Sequence, residues 1–238
     1  MGSPGGVSGY TAFGADFDGT NDFLARGGGL TGVSDGKTGL FSVWFRKDGG
    51  DSAFREICSA STLKFRQYIL NTNVLKIEGR NAANTLIFDI TTTGTFLTSA
   101  SYVHILASWD LGTAGRRHIF VGDVEDTNQN TFTDDDIDYT AADWGIGGLP
   151  SGSNKFNGCL SEMYFALEWL DITVEANRRK FSTAAGKPVD LGADGSLPTG
   201  TAAIIYEPFE DLDGTNKGTG GNFNVTGELV RCSSSPSD

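Results

Sequence analysis

Apolar and polar residues alternate one for one through the middle of the chain. In the stretch YVHILASWDLGTAGRRHIFVGD, residues Tyr102–Asp123, Val103, Ile105, Ala107 and Trp109 alternate with Tyr102, His104, Leu106 and Ser108. After the turn Asp110–Gly115, Ile119 and Val121 alternate with His118 and Phe120. A period of two lines up one apolar row on one face of a strand, and the glycine-containing connection makes the pair a hairpin. The pattern assigns Ile105, Ala107 and Trp109 to the core. A lone hairpin is marginal in water, so other strands must cover that row.

The same alternation recurs. GLFSVWFRK at Gly39–Lys47 sets Phe41, Val43 and Phe45 against Ser42, Trp44 and Arg46. Phe13–Arg26 holds two short strands around the turn Asp18–Asn21, and further strands are predicted at Ala53–Ser59, Lys64–Leu70, Val74–Glu78 and Thr85–Ile90. An acidic loop, Glu125–Asp138, follows the hairpin. A strand ending at Trp144–Gly147, a long one over Phe156–Trp169, and strands at Ala202–Tyr206 and Phe223–Val230 come after it. Short strands at regular spacing predict an all-β, two-sheet antiparallel jelly-roll sandwich.

One short helix is predicted within Thr173–Ala185, near the C-terminal third. Thr173 would cap it, Glu175 suits its first turn, and Arg178, Arg179 and Lys180 suit its negative end. Gly186 would stop it in a left-handed conformation, with Pro188 behind. The Gly/Ser-rich residues 1–12 read as a flexible N-terminal arm. Residues 13–230 read as a single domain, including the C-terminal helix and an extension from about residue 171, and residues 231–238 as a frayed tail.

Composition narrows the function classes. Eighteen Lys and Arg against 30 Asp and Glu give a net charge of −12. Such a surface repels phosphate backbones and anionic lipid, so neither nucleic acid nor membrane is an expected partner. No apolar run approaches the ~20 residues of a membrane span. The opening MGSPGGVSGY has no signal-peptide character, and Gly6 stands where myristoylation needs Ser or Thr. Cys58, Cys159 and Cys232 are too few and scattered for a disulfide framework or a zinc site, so a reducing cytosol is the expected place of synthesis.

Candidate chemistry is sparse. Read as an EF-hand from Asp126, oxygens fall at Asn128 and Asn130, but Thr131 occupies the glycine place and Ile137 the glutamate place. A looser calcium site from Asp126, Asp134 and Asp136 stays open beside the plainer reading of a solvated acidic loop. Asp16, Asp18, Asn21 and Asp22 form a second cluster, with turn formation as the plainer reading. His104 and His118, on facing strands, could meet as a metal or pH-sensitive pair.

Three segments together resemble the laminin-G-like, concanavalin A-like jelly roll. They are FDGTNDFL at Phe17–Leu24, the hairpin with WDLGTAGRRHIFVGD, and WGIGGLPSGSNKFNGCLSEMYF at Trp144–Phe165. The likeness extends to Phe156, Gly158 and the strand acid Glu162. It implies a glycan-binding module with stacking aromatics, for which Tyr102, His104, Trp44 and Trp144 are the candidates. A glucanase-type glycoside hydrolase is the enzymatic alternative, with Asp134, Asp136 and Asp138 at i, i+2 and i+4 as its nearest match. That match lacks the glutamates of the signature, so no catalytic residue is assigned and the chain is read as a non-enzyme.

The segment from Asn177 onward resembles extensions of such domains in bacteriophage and prophage virion proteins. The resemblance implies a self-associating structural or adhesion module of a virion (tail, fibre or capsid-decorating), made in the host cytoplasm, with other virion proteins and surface polysaccharide as partners. A secreted or cell-surface lectin-like domain is the alternative. Many secreted laminin-G domains bond a cysteine at the place of Cys159 to one near the domain's end. With no secretion signal visible and a longer intervening stretch, free thiols are expected here, Cys232 the most exposed.

Overall fold

The structure is a computed structural model and describes residues 9–238. The alternating segments become β1 (Gly14–Asp18), β2 (Phe23–Gly27), β3 (Thr38–Lys47), β4 (Arg55–Ala60), β5 (Phe65–Ile69), β6 (Val74–Arg80) and β7 (Leu86–Thr95). The central hairpin is β8 (Val103–Asp110) and β9 (Arg117–Val121), followed by β10 (Val124–Glu125), β11 (Asn128–Phe132), β12 (Asp143–Ile146) and β13 (Asn157–Ala166). A helical turn, α1 (Glu175–Arg178), precedes β14 (Ile205–Glu207), β15 (Asn224–Thr226) and β16 (Val230–Arg231).

Two antiparallel sheets result. The first runs β10-β9-β8-β3-β13-β1-β16, with β14 also on β13; the second runs β11-β7-β6-β5-β4-β12-β2-β15. Their inner faces meet in one core that takes Phe41, Val43 and Phe45 from β3 and Ile105, Ala107 and Trp109 from β8, as the alternation requires. Trp109 lies across from Gly39, whose missing side chain gives the indole its place: a Cβ there would stand 2.1 Å from the ring. The indole nitrogen donates to the Tyr139 hydroxyl at 3.0 Å, and the rings of Phe65 and Phe88 pack beside it.

A second core sits on the outer face of the first sheet. Leu40, Leu106, Phe120 and Tyr164 point away from the sandwich and would be wet if the chain ended at β13. Ile172, Phe181, Leu191 and Ala203 of the extension cover them. The leucines in the otherwise polar rows of β3 and β8 are therefore contacts for a third layer.

Several local expectations change. The expected helix is a single turn begun at Val174 with no side-chain cap, because the Thr173 hydroxyl donates to Asp171 instead, at 2.6 Å. Gly186, at φ +69°, closes the next turn, its N–H meeting the Thr183 carbonyl at 3.0 Å. The expected acidic loop contains β11, because the ten-residue β7 offers it an edge and Arg117 holds Gln129 by Nε and Nη2. The expected strand over Phe223–Val230 is two short pieces, β15 and β16, in different sheets.

The first described residues and the C-terminal tail are also held. Within the expected arm, Tyr10 donates to Glu162 at 2.7 Å and Ala12 is buried, while residues 1–8 lie outside the described residues. The expected frayed tail is bonded: the Ser235 hydroxyl donates to the Ala12 carbonyl, and Cys232 forms a disulfide with Cys159. The free-thiol expectation is thus overturned for two of the three cysteines. β1 pairs with both β13 and β16, and this brings the two thiols together across it. Cys58 is free and buried.

Candidate functional site

The even-numbered positions of β3 face outward, and where the extension ends they are left over a cleft of about 270 Å³. Trp44, Tyr102, Val103, His104, Val121, Gly122 and Asp123 line it from the first sheet, and Ser182 and Gly186 from the extension. Strand register explains the gathering. Trp44 is directly opposite His104 in the β3–β8 ladder, and the two rings stack with centroids 4.5 Å apart. Tyr102 stands two residues before His104, so it falls on the same face.

His104 is the distinctive group. Its Nε2 is 2.9 Å from the Ser42 hydroxyl, and its Nδ1 is fully buried without a hydrogen-bond partner among the described residues. A buried polar atom left unpaired costs about 1–3 kcal/mol, so such an atom at a cleft is a standing demand for a ligand group or water. Burial pushes the imidazole pKa down to about 3, so the ring is neutral. Burial pushes the Tyr102 phenol up to about 12. Its hydroxyl donates to the Ser234 carbonyl at 2.9 Å, which fixes the ring from the C-terminal tail.

Asp123 is the one carboxylate of the lining, and it is already engaged. Arg179 holds it bidentately at 2.7 and 2.6 Å, and Arg178 approaches the same Oδ1 at 3.4 Å. The Arg179 guanidinium keeps its pKa below the usual carboxylate range. Arg178 also lies over the Phe120 ring, at 4.5 Å. The basic run that suggested helix electrostatics therefore clamps the extension onto the hairpin. Asp123 ends the hairpin stretch read from the sequence, whereas nothing local marked Ser182 as its neighbour.

Three of the four aromatic candidates thus come together; Trp144 does not. It is fully buried on the inner face of β12, against Phe65 and Phe165, because Asp143 and Gly145 take the outward positions on either side. The histidine pair does not form. His118 lies opposite Ser108 and bonds Glu125 through Nδ1 at 2.6 Å.

The acidic candidates are dispersed among separate partners. Asp126 accepts from the Thr93 and Gly94 N–H groups, Asp134 pairs with Lys37 at 2.8 Å, and Asp138 pairs with Lys64 at 3.0 Å. Among the described residues the grouping with metal-ligand spacing is Asp16, Asp48 and Cys159, and that sulfur is in the disulfide. Asp18 spends Oδ1 on the N–H groups of Thr20, Asn21 and Asp22, as a turn former does.

Two arrangements resemble catalytic ones. Ser42 and His104 are hydrogen-bonded, but Ser42 is buried and the imidazole is too weak a base at pKa about 3. Glu162, at φ +48° in a bulge of β13, is raised to about 8 by burial and is enclosed by the hydroxyls of Tyr10 and Tyr206. A wider cleft of about 620 Å³ lies between Arg26, Thr62, Asp143 and Pro150. Its guanidinium is used up on Gly29, Asn222 and Thr31, and among the described residues no orphaned buried atom lines it.

No protein-family model and no curated protein matches the sequence. Solved structures do. A Bacteroides ovatus protein assigned as carbohydrate-binding superposes with a TM-score of 0.64 at 14% identity, over 93% of this chain and 60% of that one. This chain therefore spans less than two thirds of that protein's length. The heptameric SAP-like pentraxin of Limulus polyphemus superposes with a TM-score of 0.55 at 13% identity, over 93% and 94% of the two chains. The LG1–3 region of the laminin α2 chain overlaps 66% of this chain and 32% of its own at 16% identity, with a TM-score of 0.47. The architecture shared with the first two is the two-sheet jelly roll.

Proposed function

We propose that the chain is a non-catalytic carbohydrate-binding module whose site is the Trp44–Tyr102–His104 cleft. One observation carries the reading: ring surfaces and an unpaired, buried, neutral imidazole nitrogen converge on one concavity. Sugars present apolar C–H faces edged by hydroxyls, and a site for them needs aromatic surface beside a few fixed polar atoms. The carbohydrate-binding assignment of the Bacteroides ovatus protein agrees with this. A glycan array probed with the purified chain is the test, and the expected outcome is saturable binding lost on Tyr102→Ala while the fold is kept. An array with no binding overturns the reading.

Two addresses extend it. On a bacteriophage virion the module would serve adhesion and self-associate, a reading supported by the resemblance of the extension and by the heptameric state of the Limulus pentraxin. The neighbouring genes test it: capsid or tail genes alongside support it, and their absence removes it. The Cys159–Cys232 bond favours the second address, a secreted or cell-surface lectin-like domain, because disulfides persist in oxidising compartments.

A further inference from the structure

We infer that the cleft takes a single uncharged sugar residue, the end of a glycan, with one hydroxyl bonded to His104 Nδ1. The inference rests on the carbohydrate reading and narrows it to a ligand class.

Size comes first. About 270 Å³ falls just below the roughly 300–1,000 Å³ of pockets that enclose drug-sized ligands, so one ring fits and a chain of rings does not. Charge comes next. Among the described residues no lysine or arginine lines the cleft, and the three titratable groups that do are a neutral imidazole, a neutral phenol and the Asp123 carboxylate. The arginines nearest to it already bond both oxygens of Asp123. Arg46, beside Tyr102, bonds both oxygens of Asp48. An incoming carboxylate or sulfate would lose its water and find no cation among the lining residues. An ammonium would find the one carboxylate already taken.

The free nitrogen suits a hydroxyl without fixing the tautomer. Ser42 can either accept from Nε2–H or donate to Nε2, so Nδ1 is an acceptor in one tautomer and a donor in the other. A hydroxyl bonds it either way. A carboxylate can only accept, and an ammonium only donate. Trp44 stacks on His104 and holds the ring in place, and because Nδ1 is enclosed in the unliganded cleft, the ligand must displace a lining side chain to reach it.

Gly122 allows a test that spares the core. It lines the cleft at φ +60°, and a Cβ there meets nothing within 4 Å. Asparagine tolerates that backbone, so Gly122→Asn should fold normally and obstruct the mouth. His104→Phe keeps a flat ring beside Trp44 and removes the nitrogen.

The experiment is calorimetric titration of the intact chain with neutral methyl glycosides (glucoside, galactoside, N-acetylglucosaminide), with methyl glucuronide and N-acetylneuraminic acid, and with glucosamine. At least one neutral glycoside is expected to bind, ten-fold or more tighter than its charged counterparts, and to lose ten-fold or more in Gly122→Asn and in His104→Phe. Tighter binding of the acids or the amine, still lost in Gly122→Asn, overturns the inference and leaves the carbohydrate reading standing. Neutral binding unmoved by Gly122→Asn overturns the placement in this cleft alone. If His104→Phe fails to fold, Gly122→Asn and the unmodified chain still decide. No binding by any of these sugars or on the array removes both readings.

Discussion

Tyr102 on the cleft donates its hydroxyl to the carbonyl of Ser234, 132 residues further along and two residues past Cys232. The disulfide therefore anchors the strand of tail that positions a cleft residue. Removing it with Cys159→Ser and Cys232→Ser together should cost about 2–5 kcal/mol, the usual range for a native bridge. It should also weaken glycan binding more than a distant change of equal cost. Thermal melting and thiol counting check this. Denatured, unreduced protein is expected to show one free thiol, Cys58, and three would overturn the pairing.

Trp109 is fully buried, and Trp109→Ala should cost about 3–5 kcal/mol, as for other buried aromatics. The reciprocal change is more diagnostic. Gly39→Ala puts a methyl group against the indole and should cost about 1–3 kcal/mol through overpacking. Denaturant melts of both variants measure this, and a Gly39→Ala protein as stable as the parent would mean that the indole lies elsewhere.

Burial raises Glu162 and Glu207 each to about pKa 8, well above an unfolded glutamate. Between pH 6.5 and 8 the unfolded chain has released these protons and the folded chain retains them, so stability falls as pH rises through 8. His104 acts in the opposite sense below about 6.5, where the unfolded imidazole takes a proton that the folded one refuses until about 3. The comparison is therefore confined to the alkaline side. Melting temperature should drop from pH 6.5 to 8.5, and the drop should be smaller in Glu162→Gln. An equal drop in that variant would show that the carboxyl is ionised in the fold.

Calcium at Asp126, Asp134 and Asp136 would require Asp126 to leave Thr93 and Asp134 to leave Lys37. Chelator and added calcium are each expected to leave the melting temperature unchanged. A rise on adding calcium would show that the loop rearranges around an ion.

Strands were legible wherever a core-facing apolar row alternates with a second row, as with Phe41, Val43 and Phe45 against Ser42, Trp44 and Arg46. Alternation could not correct Trp144, offered as a stacking aromatic by the resemblance, since a single aromatic flanked by Asp143 and Gly145 is too short a run to declare its face. It also could not explain Leu40 and Leu106, because their partners lie more than 60 residues away in a segment without periodicity. The cleft was half legible: Tyr102, His104 and Trp44 share a ladder whose register can be guessed, whereas Ser182 and Arg179 reach it only through the packing of the extension. The disulfide was hidden for a similar reason. Cys159 and Cys232 are 73 residues apart and meet only because β1 lies between their strands.

The layer that the extension adds also sets an order of exchange with solvent. β3, β8 and β13 lie inside their sheet and are shielded on both faces, by the sandwich core on one side and the second core on the other. Their amides can meet deuterium only when the sheet opens as a whole, and their protection measures the free energy of the entire molecule. β11 and β15 are edge strands, and their amides exchange by fraying that leaves the rest intact. A ligand in the cleft would slow the first group and leave the second unchanged, since it rests on β3, β8 and β9 and touches neither β11 nor β15.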